Sequence, residues 1–417
     1  MEERMRMRPL EPVTPEGERA VALAREVAAR LRVGAQERDR AARFDPAPVR
    51  MAIDCGLGAA TVGAEHGGGG VVMPSDVMAV ASALATGDGS VALVVNMHLG
   101  AVRGLEGARS VPFVASLLDG VVAGQAWVSA AVTEAGTNYF NPRATLRQRS
   151  GGWTLDGEKV FATGSPMATH LVTNTRVVGG DHDGRLAAAF VPVDAPGVEV
   201  YDDWDGMGMR ASGSGRVRFD AAVLDDDQCF VSPAGPVGTF SVAALVNRAM
   251  GNVANLAAMC GLAEAAALVV GERLTSEARV VDAPLALRPT VRQSYGQLLV
   301  DLHRCQSVLR DLGRRCDEIT ARALEAPAPA GGGLELDEAH ALMAEFQAAK
   351  VITNTAAIEV VSRSMELGGG SAYLGHHELS RLYRDVRAGP FMQPFTPHES
   401  LGYIGAVGLD VDPDPES

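Results

Sequence analysis

The chain is short of basic charge: 37 Lys and Arg stand against 51 Asp and Glu, a formal net charge of -14. Phosphate binding needs clustered cations, so a nucleic-acid partner is not expected. The five cysteines, Cys55, Cys229, Cys260, Cys305 and Cys316, form no Cys-x-x-Cys pair. That argues against a zinc ribbon or dithiol centre and for reduced, mostly buried thiols. No run approaches the ~18 uninterrupted apolar residues of a membrane span. Met1 to Thr14 carries charges and prolines without an apolar segment, so the expectation is a soluble, cytoplasmic protein with no membrane partner. No Gly-x-Gly-x-x-Gly joins a strand to a helix, which removes the Rossmann fingerprint. A zinc hydrolase fails on spacing, because His377-Glu378 has Arg381 at the second-ligand position and His398-Glu399 has Gly402. His66-Gly67-Gly68-Gly69 superficially suggests a lipase oxyanion loop, but no matching nucleophile elbow accompanies it. It reads instead as the loop after a short strand-like segment, Gly56 to Gly63.

What is present is an ordinary globular composition, 47% hydrophobic and 21% charged over 417 residues, enough for two or three packed units. From Glu16 to about Gly120 apolar residues recur at helical spacing, as in Ala20, Val21, Leu23, Ala24, Val27 and Leu31. Near Gly124 the pattern changes to short runs, Ala126 to Val132, Leu171 to Val177, Ala187 to Val193 and Val217 to Phe219, separated by Gly, Asp and Pro. Such runs suit a compact, mostly antiparallel β-domain. Helical spacing returns over Phe240 to Leu274, Val291 to Leu324 and Leu336 to Leu367, with Pro327 to Gly333 as an interhelical loop. The expected fold is α+β: an N-terminal helical domain over 1–123, a middle antiparallel β-domain over 124–236 and a C-terminal four-helix-bundle-like domain over 237–417. This order does not match the βαβ alternation of a parallel nucleotide-binding sheet.

Four stretches stand out. Val132-Thr133-Glu134-Ala135-Gly136 ends a predicted strand. Leu155-Asp156-Gly157-Glu158-Lys159-Val160-Phe161-Ala162-Thr163-Gly164 reads as a hairpin followed by an aromatic-x-Thr strand. Gly206-Met207-Gly208-Met209-Arg210-Ala211-Ser212 precedes the Val217 to Phe219 strand. Leu367-Gly368-Gly369-Gly370 is followed by Leu379-Ser380-Arg381-Leu382-Tyr383-Arg384-Asp385. Singly they are a polar strand end, a hairpin turn, a structural segment and a helix-loop-helix with a surface ion pair. Together, over nearly the whole length, they resemble the acyl-CoA dehydrogenase superfamily and imply a bound FAD. By that resemblance the Val132 backbone and Thr133 hydroxyl meet flavin N1 and O2, where charge gathers on reduction. Phe161 lies against the isoalloxazine, Ala162 follows in the same flavin-binding stretch, and Thr163 hydrogen-bonds N5. Gly368 and Gly369 let the backbone approach the FAD of a neighbouring subunit, and the Arg-Asp pair braces the late loop. Arg279, with Arg273 as its competitor, holds the partner's FAD pyrophosphate. A homodimer or homotetramer is implied.

Oxidising an acyl thioester requires a base for the α-proton while hydride passes to flavin N5. The family commonly places a Glu eight residues beyond the Arg-Asp aspartate, and here that position is Gln393. A carboxamide has no useful basicity near neutral pH. Relatives that carry the Glu on the first long helix of the last domain place it at Gly251, which has no side chain. His398 and Glu399 read as a helix N-terminus. Gln393 keeps a backbone N–H able to polarise a substrate carbonyl, so it stands as both a catalytic-position and a substrate-binding candidate. Tyr139 takes a place where relatives often have a Ser near the thioester entrance, and a phenol narrows or reshapes it. His98, in Asn96-Met97-His98-Leu99, resembles a His of the family's monooxygenase branch, with a satisfied helix histidine as the equal alternative. That branch usually adds a His in the late loop, where this chain has Met392 and Gln393.

Three functions follow. The first is FAD-dependent oxidation of an acyl-CoA or acyl-carrier-protein thioester by a base outside the family pattern. The second is a monooxygenase using reduced flavin and O2, with FMN possible in place of FAD. The third is a catalytically inactive binding scaffold. The redox partner in the enzyme readings is an electron-transfer flavoprotein or a flavin reductase.

Overall fold

The computed structural model describes residues 8–276, 284–325 and 333–413. Among these residues six α-helices come first: α1 (Pro15–Arg32), α2 (Ala35–Ala41), α3 (Ala47–Asp54), α4 (Pro74–Ala85), α5 (Gly89–Leu105) and α6 (Pro112–Val122). Thr14 starts α1 by accepting from Gly17 N at 3.0 Å. Asp76, in the first turn of α4, accepts from Val13 N at 2.6 Å and so ties the two helix starts together. Gly56 to Gly63 is not strand-like: it contains a 3-10 turn at Leu57–Ala59, because Gly56 sits at φ 90, in left-handed rather than extended backbone.

Eight strands follow: β1 (Val128–Ala130), β2 (Thr145–Arg149), β3 (Gly152–Lys159), β4 (His170–Val177), β5 (Arg185–Pro192), β6 (Val198–Val200), β7 (Val217–Leu224) and β8 (Cys229–Pro236). They form one sheet in the order β6-β7-β3-β2-β4-β5-β8, with β1 against β4. The sheet is mostly antiparallel, as expected, with two parallel pairings: β1 and β2 both pair parallel to β4. The cause is the segment 160–169, which carries the chain across β2 instead of turning back on β3. A correction concerns Asp156-Gly157, which is no turn. Both residues lie inside β3, where the register against β7 shifts, and Asp156 Oδ1 accepts from Ala221 N at 2.8 Å. The β2–β3 hairpin turns instead at Ser150 and Gly151, the latter at φ 75.

The last stretch holds α7 (Val242–Thr275), α8 (Pro289–Glu325), α9 (Leu336–Gly368), α10 (Glu378–Asp385) and α11 (Pro397–Gly408). Except for Gly333, the loop expected at Pro327 to Gly333 lies outside the described residues. Helix α7 is long and apolar enough to cross a membrane, with a mean hydropathy of 1.9 over its most apolar window, yet 89% of that window is buried. It packs against α4, α8 and α9 as a core helix. One hydrophobic interior runs from Leu31, Leu84 and Leu99 into Leu256, Leu309 and Phe346, so the first and last helical stretches share a core. The sheet has its own core around Leu146, Leu155, Leu171 and Phe219. All five cysteines are free, and burial pushes the Cys316 thiol up to about 12.

Candidate functional site

The chain leaves β1 through Val132 and Thr133 and leaves β3 through Val160 and Phe161. These exits are joined by an isolated bridge in which Val160 N donates to Thr133 O at 2.8 Å. Beneath the bridge lies a buried polar hub. Lys159, with no exposed surface, donates to Glu134 Oε1 at 2.6 Å, Asn174 O at 2.6 Å and Asn174 Oδ1 at 3.0 Å. Glu134 also accepts from Arg143 N at 2.7 Å and Ala144 N at 3.1 Å. Burial pulls the Lys159 ammonium below its ordinary pKa, opposed by the Glu134 charge. The Glu of the Val-Thr-Glu stretch is therefore engaged in holding together the exit of β1, the entry to β2 and the end of β3.

Phe161 sits at φ 56 with 59% of its surface exposed, its ring edge-on to Trp204 at 5.9 Å. A left-handed aromatic residue is costly unless its surroundings hold it, and here the holding is local. Ala162 is fully buried and donates its N–H to Gly215 O at 3.0 Å. Thr163 Oγ1 lies 2.9 Å from Ser214 Oγ, which lies 2.6 Å from Ser212 Oγ. The Gly206 to Ser212 stretch thus supports Thr163 from behind.

The same stretch meets the late signature. Gly208 has no room for a side chain, because a Cβ there would overlap the Arg384 carbonyl. Met209 N donates to Asp385 Oδ1 at 2.7 Å, and the fully buried Arg381 donates to Asp385 Oδ2 at 3.2 Å. Burial pushes the Asp385 carboxyl up to about 6 despite Arg381 beside it. Arg384 does not pair with Asp385. It makes a bidentate pair with Asp39 of α2, at 2.7 and 2.5 Å. The signature thus makes two pairs, Arg381 with Asp385 and Arg384 with Asp39, and the first is wholly inside.

Beyond Asp385 the chain runs through a 3-10 stretch, Val386–Phe391, to Gln393 and a cis peptide at Pro394. Gln393 Nε2 donates to Thr133 Oγ1 over a long 3.4 Å, while its Oε1 is buried without a partner. The structure therefore brings together two candidates that are 260 residues apart in sequence. The carbonyls on either side of Gln393, those of Met392 and Phe395, both accept from the buried Lys350 ammonium of α9. His398 and Glu399 open α11, where Thr396 and Glu399 form a reciprocal cap, as their spacing led one to expect.

His98 has neither ring nitrogen to spare. Its Nε2 lies 2.9 Å from Gly58 O, Val128 N donates to its Nδ1 at 3.0 Å, and its ring stacks on Trp127 at 3.8 Å. These contacts define a neutral imidazole protonated on Nε2. Burial lowers its pKa from 6.5 to about 4. The unfolded state therefore binds more protons between those values, and stability falls as pH drops through that window. We expect the loss to reach about 3 kcal/mol by pH 4. Urea midpoints at pH 7 and pH 4.5 should show it, and the acid slope should shrink in His98→Leu.

Tyr139 is half-buried, its ring covered by the Arg248 guanidinium at 3.9 Å, and its carbonyl accepts from Asn174 Nδ2 at 2.8 Å. Gly251 is exposed on α7, and a Cβ on it would meet nothing within 4 Å. Gly368 and Gly369 have local reasons: a Cβ on Gly368 would press on Leu379, and Gly369 adopts φ 69, ψ -168. Arg273 lies beside Gly369, at 4.0 Å from where its Cβ would be. Arg279 lies outside the described residues. Sequence reasoning missed Trp204 and Ser214 as supports, Arg248 as the cover of Tyr139, and Lys350. Only Lys350 left a signal, as a lone charge in Ala348-Ala349-Lys350-Val351-Ile352.

These residues fit a flavin. The exposed Phe161 ring follows directly on the backbone bridge to Thr133, and Gln393 Oε1 and the Ser129 and Ser165 hydroxyls are buried polar atoms without partners. Phe161 would lie against the ring system, with Thr133 and Thr163 as hydrogen-bonding groups.

Family models for the N-terminal, middle and C-terminal domains of acyl-CoA dehydrogenase match residues 14–105, 129–222 and 246–393. The chain is 34% identical over 411 residues to the amino sugar nitrososynthase DnmZ of Streptomyces peucetius, covering 96% of this chain and 95% of the relative. It is 25% identical over 389 residues to a dibenzothiophene monooxygenase of Rhodococcus erythropolis, covering 90% and 89%. A solved structure of KijD3 with FMN and dTDP-3-amino-2,3,6-trideoxy-4-keto-3-methyl-D-glucose superposes with a TM-score of 0.87 at 32% identity, covering 97% of this chain and 96% of that one. The chain belongs to the acyl-CoA dehydrogenase family and is a flavin-dependent oxidoreductase.

Proposed function

We propose that this protein is a flavin-dependent monooxygenase that oxygenates the amine of a polar, amino-sugar-like substrate, the second of the functions drawn from the sequence. The observation that carries this reading is the 34% identity, over 96% of the chain, to an amino sugar nitrososynthase. The chemistry of the site supports it. Dehydrogenating a thioester requires a base, but Gln393 is an amide, Gly251 has no side chain and His98 is enclosed. Oxygen transfer to an amine uses the nitrogen lone pair and requires no carbon-bound proton to be removed, so the carboxamide is no handicap. Bound reduced flavin supplies the two electrons with which O2 gives one oxygen atom to substrate while the other leaves as water.

The seam between α5 and α7 supports a polar substrate as well. Asn96, Asn252 and Asn255 are buried there, and Asn96 Oδ1, Asn255 Oδ1 and Arg248 Nε have no partner. An acyl chain would leave each unsatisfied at roughly 1–3 kcal/mol. A hydroxylated amine offers the donors that the two asparagine oxygens lack.

The test has two arms. Anaerobic mixing of the oxidised flavoprotein with acyl-CoA and acyl-carrier-protein thioesters is expected to leave the flavin colour unchanged. Supply of reduced flavin by a flavin reductase, with O2 and a dTDP-linked amino sugar, is expected to add oxygen to the amine, read by mass spectrometry. Anaerobic bleaching by a thioester, with no oxygenated amine, would sink the proposal.

Phe161→Ala tests the flavin placement separately. The ring is already exposed, so its removal is expected to leave the thermal midpoint nearly unchanged. Loss of roughly 1.5–3 kcal/mol of aromatic burial against the cofactor corresponds to a flavin Kd weaker by about 10- to 100-fold. Flavin fluorescence titration reads it directly.

A further inference from the structure

We infer that Lys350 is a positioning residue for the loop that carries Gln393. Lys350 is 2% exposed, and its ammonium donates to the carbonyls of Met392 and Phe395, one on each side of the Gln393–Pro394 pair. Both ends of this four-residue segment are therefore fixed to one atom on α9. At its far end the buried Phe395 ring stacks on Tyr403 at 5.2 Å, but around Gln393 the other ties are few: Met392 N donates to Gly389 O at 3.2 Å, and Gln393 reaches Thr133 at 3.4 Å. Its outer side is open, with Phe391 79% exposed.

Burying an ammonium costs several kcal/mol even after relaxation, and a methionine would fill a similar volume without that cost. No carboxylate lies within ion-pair distance of Lys350 among the described residues; the charge is directed at loop carbonyls. Glu399 of α11 is the charged group whose field acts on it, and Phe391 to Phe395 carry no titratable side chain. What the lysine sets is the height of Gln393 above Thr133, and with it the edge of the site where substrate must meet flavin. Burial lowers the Lys350 pKa to about 8. The gripping charge is present below that pH and is lost as pH rises through it.

The test compares the flavin-loaded parent with Lys350→Met and Lys350→Arg. In Lys350→Met, amide hydrogen exchange is expected to rise over Val386 to Phe395 while α7 and the sheet keep their protection. Turnover of the amino sugar is expected to fall about 100-fold with KM changed less than threefold, the mark of misplacement rather than lost affinity. The parent is expected to lose turnover as pH rises through about 8, and Lys350→Arg, charged throughout, to lack that limb. Unchanged loop exchange with turnover within threefold of the parent overturns the inference. So does exchange that rises everywhere, because that is a general structural role. If Lys350→Met does not fold, loop exchange in the parent at pH 7 and pH 9, corrected for intrinsic rates, decides: equal protection at both overturns the inference. If the parent oxygenates no amine, the proposed function fails while the exchange data still judge Lys350.

Discussion

Glu134→Ala is expected to lower the unfolding free energy by about 3–5 kcal/mol, the usual cost of removing one member of a buried ion pair. Lys159 is left with no exposed surface and only the two oxygens of Asn174 as acceptors, while Arg143 N and Ala144 N lose theirs. Lys159→Met is expected to cost less, since Glu134 keeps both backbone donors. The Glu134→Leu, Lys159→Met double variant should recover much of the loss, because an uncharged pair leaves no unpaired ion in the interior. Urea unfolding of the four proteins measures the coupling, and strictly additive losses would refute the hub as described. Flavin affinity should fall with the single variants. Thr133 and Val160, whose bridge fixes the strand exits, are the chain neighbours of Glu134 and Lys159.

How much of this was legible beforehand depended on whether the signal was local. The long helices were: apolar spacing placed α8 and α9 within two residues of their observed starts, because one side of each faces the shared core. Strand β2, Thr145–Arg149, was not, since only Leu146 in it is buried and the rest reads as a polar loop. Asp156-Gly157 misled for a physical reason. The pair that favours a turn also suits a strand irregularity, and only the pairing of β3 with β7 decides which.

The site divides in the same way. Thr133, Phe161 and Gln393 were singled out through the family resemblance of the motifs that hold them. The partners that decide what those residues can do were not, because they come from distant chain. Gly58 and Val128 engage both nitrogens of His98, Asp39 takes Arg384, and Lys350 fixes the Gln393 loop. No local pattern encodes such pairs. Topology creates them.

Gly251→Leu is expected to make the protein more stable and less able to bind substrate. A glycine in an exposed helix interior costs roughly 1 kcal/mol relative to a good helix former, and nothing within 4 Å would oppose a side chain here. Stability alone therefore favours replacement. Its surroundings supply the opposing reason. A Cβ on Gly100 of α5 would lie 3.6 Å from the Gly251 carbonyl, so α5 and α7 run close together at these two glycines. One turn away on α5 is Asn96, whose Nδ2 donates to Ala254 O at 3.5 Å, and one turn along α7 is Asn255. A leucine at 251 would add bulk on α7 one turn from Asn255, at the exposed edge of this seam. The thermal midpoint is expected to rise slightly, and the Kd for a dTDP-linked amino sugar to weaken at least tenfold, with Gly251→Ala between. Calorimetric titration and thermal unfolding of the same samples separate the two effects. A stabilised variant that binds the sugar as the parent does would remove the α5–α7 seam from the substrate site and leave its buried asparagines without a role in recognition.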